Sequence, residues 1–287
     1  MDGRASGMEV MKFAVLGDPI SHSKSPAIHK AAYEFLGLDW SYEAHQVSSF
    51  ELETFLDTAL ERFDGLSLTM PLKETLVSIA RERGWVIDSF SAQLNAGNTL
   101  HKDAAGQWSV ANTDVHGAGM ALASVAESVS SVALLGSGAT ARSIALALSL
   151  GCAALSELTV FSRRPEPAEE VFKLLTVELP GAKTSWLPLE AAADFGGADL
   201  TINTLPGATA NDYEVDRAFG ESWIFDVTYT PWPTALASGW PENNRVSGLN
   251  MLIWQAIEQL RLFGAIPAEF DSGRFSELAS AMRSAAV

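Results

Sequence analysis

The chain is 287 residues long, is 47% hydrophobic and 19% charged, and carries a formal net charge of −16 at pH 7. This composition is typical of a globular protein, and the length is sufficient for two domains. The acidic excess repels phosphate backbones and anionic lipid, so neither nucleic acid nor a membrane surface is an expected partner. The single cysteine, Cys152, excludes an intramolecular disulfide and a cysteine-based zinc site, and we expect a reducing, cytoplasmic location.

The first part of the chain alternates predicted strands and helices. Residues 1–10 are polar and lack the apolar segment of a signal peptide, so we expect a disordered tail there. A helix is predicted with Ser25 as its N-cap and Pro26 as its first residue. Predicted strands lie at Lys12–Leu16, Tyr42–Val47, Gly65–Thr69, Gly97–His101 and Gln107–Ala111. The first 113 residues are therefore predicted to form a separate α/β domain.

The middle of the chain carries a glycine-rich turn between a strand and a helix. Val132–Leu135 is an apolar run typical of a strand buried on both faces of a parallel sheet. The residues that follow it fit GxGxxA and are Gly136, Ser137, Gly138, Ala139, Thr140 and Ala141. In this pattern the first glycine permits a tight turn and the second lets the backbone approach a pyrophosphate. We predict a dinucleotide site; the alternative is an ordinary strand-turn-helix unit.

The rest of the chain continues the same alternation and then becomes helical. Strands are predicted at Leu158–Phe161, Asp199–Ile202 and Trp223–Asp226, and the pattern from Gly248 onward is helical only. We therefore expect two α/β domains: an N-terminal substrate domain of residues 1–113 plus 248–287, and a Rossmann-type domain of residues 114–247. A cleft between them is the expected ligand site.

The end of the second predicted Rossmann strand indicates which dinucleotide is bound. An acid that binds the ribose hydroxyls of NAD is expected there, but the sequence reads Ser162, Arg163, Arg164. Two guanidiniums suit a 2′-phosphate, so we predict NADP, although the nearby Glu166 leaves NAD open. Asn203 and Thr204 follow another strand of this domain and form either a simple turn or an edge that faces the nicotinamide.

Two charged residues at predicted helix starts are candidates for acid–base chemistry. Lys73 lies in the first turn of a helix opened by Pro71, where the macrodipole disfavours a positive charge; the position suits a general acid or base, and the alternative is an exposed surface lysine. Asp114 lies at the start of the first helix of the second domain, a position that capping alone would also explain. Neither His101 nor His116 has metal-ligand spacing with another histidine or carboxylate, so we predict no metal site.

Taken together, these motifs resemble the shikimate dehydrogenase family, in order from Phe13 to about Gly264. The matching segments are GDPISHSKSPAIH, LTMPLKE, AGNTL, NTDVHG, the glycine turn, FSRR, NTLPG, DVTYTPWPT and GLNMLIWQA. The resemblance implies reversible NADP-dependent reduction of 3-dehydroshikimate to shikimate. It also implies that Lys73 and Asp114 are a catalytic pair and that Gly248 belongs to the cofactor site. Ser67 departs from the asparagine of many members, and Ala139 departs from a common glycine.

The resemblance further implies a set of substrate contacts. Ser23, Ser25 and Tyr229 would bind the substrate carboxylate, while Thr69, Asn98 and Gln255 would hold ring hydroxyls. Rival functions remain: an enzyme that prefers quinate or aminoshikimate, with NAD as cofactor, or a shikimate-sensing regulator without turnover. The presence of both Lys73 and Asp114 and the lack of a basic segment disfavour the regulator. We expect a monomer or a homodimer.

Overall fold

The computed structural model describes residues 10–195, 197–206, 222–267 and 269–286. Its chain divides into two compact units, and each is described by itself. Unit 1 comprises residues 1–113 and 256–287, and unit 2 comprises residues 114–255. The boundary at residue 255 lies inside a long helix, whereas the sequence analysis placed the domain boundary where that helix begins, at Gly248.

Unit 1 is built on a mixed six-stranded sheet. Its strands are β1 (Lys12–Gly17), β2 (Ser41–Gln46), β3 (Gly65–Leu68), β4 (Val86–Ile87), β5 (Thr99–Lys102) and β6 (Trp108–Ala111). The strand order is β2-β1-β3-β5-β6-β4, with β1 parallel to β2 and β3, and β5 antiparallel to β3 and β6. The carboxyl ends of β1 and β3 therefore share one edge of the sheet with the amino end of β5.

Helices cover both faces of this sheet. They are α1 (Ser25–Leu36), α2 (Leu52–Ala59), α3 (Lys73–Arg83) and α4 (Ser89–Leu94), with the C-terminal α9 (Ser272–Ala285). On one face Leu66 and Leu68 pack in a buried cluster with Leu56 of α2 and Leu76 of α3. The second face is closed by α1, against which α9 packs. Burial of these apolar side chains is the main stabilising contribution to the unit.

Unit 2 contains a wholly parallel sheet of six strands. They are β7 (Ser131–Leu135), β8 (Glu157–Phe161), β9 (Lys183–Leu187), β10 (Leu200–Asn203), β11 (Trp223–Asp226) and β12 (Arg245–Ser247), and their spatial order is β12-β11-β10-β7-β8-β9. The helices are α5 (Asp114–Leu122), α6 (Ala139–Gly151), α7 (Glu166–Glu178) and the first part of α8 (Gly248–Leu262). Chain order reverses between β7 and β10, and ligands of such sheets bind at this switch point, outside the carboxyl ends of the strands.

Most predicted strands are confirmed within one or two residues, and the differences have physical causes. Ser25 is not the N-cap of α1: the helix already includes it, and Lys24 precedes it without a side-chain cap. The short strands β4, β9 and β12 were not predicted. Across the described ranges, no helix is both long and apolar enough to cross a membrane.

Candidate active site

The loops after β1 and β3 are bonded to each other at the carboxyl edge of the unit 1 sheet. The Asp18 amide donates to the Met70 carbonyl at 3.0 Å, and the Thr69 amide donates to the Leu16 carbonyl at 2.9 Å. A β-carbon on Gly17 would collide with the Thr69 side chain, so glycine is needed for this approach. Thr69 is thereby fixed beside the end of β1, and the loop that carries the two predicted substrate serines begins there.

The two serines at the start of α1 differ in how their hydroxyls are used. The Ser23 hydroxyl accepts a hydrogen bond from the Ser25 amide at 3.3 Å, which fixes the turn into the helix. Ser25 itself is 8% exposed, and its own hydroxyl makes no hydrogen bond to any residue in the described part of the chain. The Ser25 hydroxyl is not used to cap α1, which begins without a side-chain cap. It therefore remains available for a ligand.

The Asn98 carboxamide is held in one orientation by its neighbours. Its Oδ1 accepts hydrogen bonds from the Thr113 amide at 2.9 Å and from the Thr99 hydroxyl at 3.0 Å. A backbone amide only donates, so the oxygen must face Thr113 and the Nδ2 group must be the donor end. The Gln259 Nε2 donates to the Thr99 hydroxyl at 3.1 Å and supports the arrangement from α8. Sequence reasoning gave Gln259 no role.

Lys73 and Asp114 are each the first residue of a helix, in different units. Lys73 begins α3 and is half-buried, and its carbonyl accepts a hydrogen bond from the Gly97 amide at 2.9 Å. The start of α3 is thus fastened to the residue that precedes Asn98. Asp114 begins α5 and is only 5% exposed, in the first turn where the helix macrodipole stabilises a negative charge.

The glycine turn of unit 2 has the geometry that the sequence pattern requires. Gly136 has φ of 101°, a left-handed conformation that L side chains rarely adopt, and a β-carbon there would also collide with the Thr204 hydroxyl. Gly138 is exposed, and a β-carbon on it would meet nothing within 4 Å. The backbone at Gly138 is therefore open to a ligand, next to the N-terminus of α6. Ala141 is fully buried, as close helix–strand packing requires.

Asn203 and Thr204 use their side chains to hold the turn after β10. The Asn203 Nδ2 donates to Asp226 Oδ1 at 3.0 Å, and its Oδ1 accepts from the Leu205 amide at 3.1 Å. Thr204 donates to the Leu135 carbonyl from both its hydroxyl, at 2.8 Å, and its amide, at 2.9 Å. These contacts assign the two side chains to fastening the end of β10 to the glycine turn, since each is already engaged within unit 2.

The end of β8 presents two unpaired cations. Arg163 and Arg164 are exposed, and their guanidiniums form no hydrogen bond or ion pair with any described residue. Ser162 is buried, at 5% exposure, beneath them. Glu166 is exposed as the first residue of α7. The turn therefore offers an exposed positive charge at the carboxyl edge of the sheet.

The remaining predicted residues lie in α8 and in the loop that follows β11. Gly248 is buried, and a β-carbon there would collide with the Val227 backbone. Tyr229 is half-buried and lies two residues after Val227. The Gln255 side chain donates to the Leu252 carbonyl at 2.8 Å and is 7% exposed. A β-carbon on Gly117 of α5 would come within 2.8 Å of Gln255, so glycine lets the two helices pack closely.

Comparison with known proteins identifies the family. A profile described as the shikimate dehydrogenase substrate binding domain matches residues 15–100. A protein of Methanosarcina barkeri named shikimate dehydrogenase (NADP(+)) is 33% identical over 273 residues, which cover 88% of this chain and 92% of the relative. The chain belongs to the shikimate dehydrogenase family. Both units are included, because the match extends over nearly the whole of each chain.

Solved structures of the shikimate dehydrogenase family share the architecture. The shikimate dehydrogenase of Mycobacterium tuberculosis superposes with a TM-score of 0.79 at 29% identity, covering 96% of this chain and 98% of that one. The shikimate 5-dehydrogenase of Thermus thermophilus, solved in complex with shikimate, gives a TM-score of 0.71 at 29% identity, covering 96% and 99%. The two α/β units predicted from the sequence are thus those of the family.

Ser67, where this chain departs from many shikimate dehydrogenases, is engaged by a neighbouring tyrosine. The Tyr42 hydroxyl donates to the Ser67 hydroxyl at 2.7 Å, and its ring stacks on His29 with 3.9 Å between the ring centroids. His29 Nδ1 donates to the Ser25 carbonyl at 2.9 Å. Burial raises the pKa of Tyr42 and lowers that of His29 to about 4. Both rings therefore stay neutral at pH 7 and link Ser67 to the start of α1.

In the described parts of the chain, three or more His, Cys, Asp or Glu side chains nowhere cluster as metal ligands would. Burial lowers the pKa of His101, one of the two histidines without metal-ligand spacing.

Proposed function

We propose that the protein is an NADP-dependent shikimate dehydrogenase that reversibly reduces 3-dehydroshikimate to shikimate. The observation that carries this proposal is the full-length match, at 33% identity, to a relative named shikimate dehydrogenase (NADP(+)). The family profile matches residues 15–100, which contain Ser25, Thr69, Lys73 and Asn98. The protein is accordingly an oxidoreductase, and its substrate is a small anionic ring.

The substrate carboxylate and hydroxyls are assigned to separate groups of side chains. Ser23, Ser25 and Tyr229 bind the carboxylate in this proposal, and the unused Ser25 hydroxyl supports that assignment. Thr69, Asn98 and Gln255 bind the ring hydroxyls. The Asn98 Oδ1 accepts hydrogen bonds from the Thr113 amide and the Thr99 hydroxyl, so Nδ2 is the donor end of the carboxamide. Nδ2 donates to the Thr113 hydroxyl at 2.9 Å, and in this proposal the same donor end faces a ring hydroxyl.

Lys73 and Asp114 are assigned to the proton chemistry. NADPH, when bound, supplies the hydride that reduces the substrate carbonyl. As negative charge develops on the carbonyl oxygen, the Lys73 ammonium stabilises it and donates a proton from Nζ to that oxygen. Asp114 is assigned, as the family resemblance implies, to orienting the lysine and the neighbouring ring hydroxyl. In the oxidation direction Lys73 takes the proton from the hydroxyl.

The residues of unit 2 fit NADP. The exposed backbone at Gly138, beside the N-terminus of α6, suits a pyrophosphate, and the unpaired guanidiniums of Arg163 and Arg164 suit a 2′-phosphate. Ser137, Ala139, Thr140, Ala141 and Ser162 complete the proposed cofactor turns, while Asn203, Thr204 and Gly248 shape them through the contacts described above.

Location and assembly complete the proposal. We place the enzyme in the cytoplasm, because its single cysteine suits a reducing compartment, and we expect a monomer or a homodimer. Size-exclusion chromatography with light scattering tests the assembly, since a tetramer would contradict it.

Steady-state assays of nicotinamide absorbance with the four pairings of shikimate or quinate with NADP or NAD test the function. We expect the highest kcat/KM with shikimate and NADP. Quinate adds a hydroxyl at C1 that a site already saturated by the carboxylate leaves without a partner, at a cost of about 1–3 kcal/mol, or roughly 10- to 100-fold in kcat/KM. A quinate value equal to the shikimate value would contradict the proposed substrate and leave the fold and the roles of Lys73 and Asp114 intact.

A further inference from the structure

The turn that carries the two arginines is fastened to the neighbouring edge strand by two hydrogen bonds, and a third closes the turn itself. Trp186, the penultimate residue of β9, donates from its indole Nε1 to the Ser162 hydroxyl at 3.0 Å. The Ser162 hydroxyl in turn donates to the Arg164 carbonyl at 2.6 Å. The Ser162 amide donates to the Leu187 carbonyl at 3.2 Å. We name the first two bonds the Trp186–Ser162–Arg164 relay.

The chemistry of a hydroxyl makes the direction of this relay unambiguous. An indole N–H only donates and a carbonyl only accepts, so Ser162 must accept from Trp186 and give its one hydrogen to Arg164. The Ser162 hydroxyl therefore has no proton left for a ligand, although sequence reasoning listed it as a cofactor contact. Ser162 is 5% exposed, and both hydrogen bonds of the relay are partly buried.

The relay holds the Arg164 backbone between two anchored ends, since the Pro165 carbonyl already accepts hydrogen bonds from the Ala168 and Glu169 amides of α7. Residues 163–165 lie between the end of β8 and the start of α7 and belong to neither. The strands beneath them are further joined by a hydrogen bond of 2.8 Å between the hydroxyls of Thr159 and Ser185. The hydrogen bond to the Arg164 carbonyl thus fixes the backbone from which both arginine side chains project, relative to the sheet.

We propose that Trp186 is a positioning residue for recognition of the 2′-phosphate of NADP, acting through Ser162 on Arg163 and Arg164. The inference rests on the proposed cofactor, because it concerns how the guanidiniums are aimed. Paired contacts between guanidinium and phosphate depend on geometry, and a turn held in place before binding loses less conformational entropy on binding. Trp186 does not contact the phosphate in this arrangement. It affects how strongly the two arginines favour NADP over NAD.

Binding of two nicotinamide-free probes, 2′,5′-ADP and 5′-AMP, measured by calorimetry on the full chain, tests the proposal. Trp186→Phe keeps an aromatic ring and removes the indole N–H. We expect it to weaken 2′,5′-ADP binding about 3- to 10-fold, the effect of one lost hydrogen bond, and to change 5′-AMP binding less than about 2-fold. Ser162→Ala should act in the same way, and Ser162→Thr, which keeps a hydroxyl, should restore most of the selectivity.

Trp240→Phe is the matched control. Trp240 also lies in unit 2 and also donates from Nε1 to a serine hydroxyl, that of Ser222, at 3.2 Å. It packs beside Ile224 of β11, on the other side of the sheet order from β9. We expect Trp240→Phe to lower the melting temperature by as much as Trp186→Phe does, without changing the ratio of the two probe affinities.

A double-mutant cycle separates positioning from general support. In a background of Arg163→Ala with Arg164→Ala, Trp186→Phe should cause no further loss of 2′,5′-ADP binding, because the groups through which it acts are absent. Equal weakening of both probes by Trp186→Phe, or an unchanged ratio, would overturn the positioning role while leaving the cofactor proposal standing. A wild-type protein that bound 2′,5′-ADP no better than 5′-AMP would refute the NADP assignment itself, and this inference with it.

Discussion

Replacement of His29 should remove a large part of the pH dependence of stability below neutral pH. His29 is fully buried, its Nδ1 donates to the Ser25 carbonyl, and its Nε2 has no hydrogen-bond partner among the described residues. Burial lowers its pKa from 6.5 to about 4, which outweighs the opposing effect of the Ser25 hydrogen bond. The unfolded chain therefore binds the proton more readily than the native protein. The contribution of His29 to the free energy of unfolding is complete above about pH 6.5 and is lost as the pH falls toward 4.

The magnitude follows from the size of the pKa shift. At 1.36 kcal/mol per pKa unit, the native protein loses about 2 kcal/mol from this residue between pH 7 and about pH 5, and about 3 kcal/mol by pH 4. His29→Phe keeps a neutral ring beside Tyr42 and cannot titrate. It should be destabilised at pH 7, because it loses the bond to Ser25, but the difference from wild type should shrink by about 2 kcal/mol at about pH 5.

Urea unfolding of both proteins across this pH range provides the measurement, since the other titrating groups cancel in the difference. His22→Phe, at an exposed position three residues before Ser25, is the control and should follow the wild-type pH dependence. A constant difference between His29→Phe and wild type from pH 7 to about pH 5 would mean that His29 is not the buried neutral base that the structure indicates.

Four further variants test the site. Lys73→Ala should lower kcat on the order of 100-fold or more with cofactor affinity nearly unchanged, and near wild-type turnover would refute its catalytic role. Asp114→Asn should lower kcat and raise KM for shikimate together, because this residue orients both the lysine and the ring. Removing both Arg163 and Arg164 should weaken NADP binding by a few kcal/mol, at roughly 1.5–3 kcal/mol per charge-assisted bond, and hardly alter NAD binding. Gly136→Ala should lower the free energy of unfolding by about 1–3 kcal/mol and weaken both cofactors alike, which calorimetry and urea unfolding measure, because φ there is 101°.

Features encoded by neighbouring residues could be predicted from the sequence. The apolar run of β7, the glycine turn and the apolar stripe of α6 lie within 20 consecutive residues, and each is confirmed in the structure. The strands predicted at Gly97–His101 and Gln107–Ala111 are confirmed as β5 and β6, which the structure pairs antiparallel. The family resemblance adds specificity, because its motifs occur in order along the chain.

Features that depend on distant partners could not be predicted in this way. β9 reads Lys-Thr-Ser-Trp-Leu and has no fully buried position, so its pattern lacks the apolar run of a core strand. Trp186 finds Ser162 across 24 residues, and Gln259 finds Thr99 across 160 residues. The Ser162 and Asn203 side chains are likewise engaged in hydrogen bonds within unit 2. Their partners are set by tertiary structure, so a sequence motif does not predict them.

The packing of α9 on α1 has a consequence for synthesis on the ribosome. Lys24 donates to the Ala286 carbonyl across 262 residues, and Leu278 and Met282 of α9 are buried, so unit 1 needs the last part of the chain. Unit 2 is contiguous, and its strands are all translated before α9 emerges. The nucleotide-binding unit can therefore fold first. The substrate unit stays incomplete until α9 is synthesised, and the apolar side of α1 is uncovered until then. A chain released before Ser272 would carry every strand of both sheets and still lack the helix that closes its substrate unit.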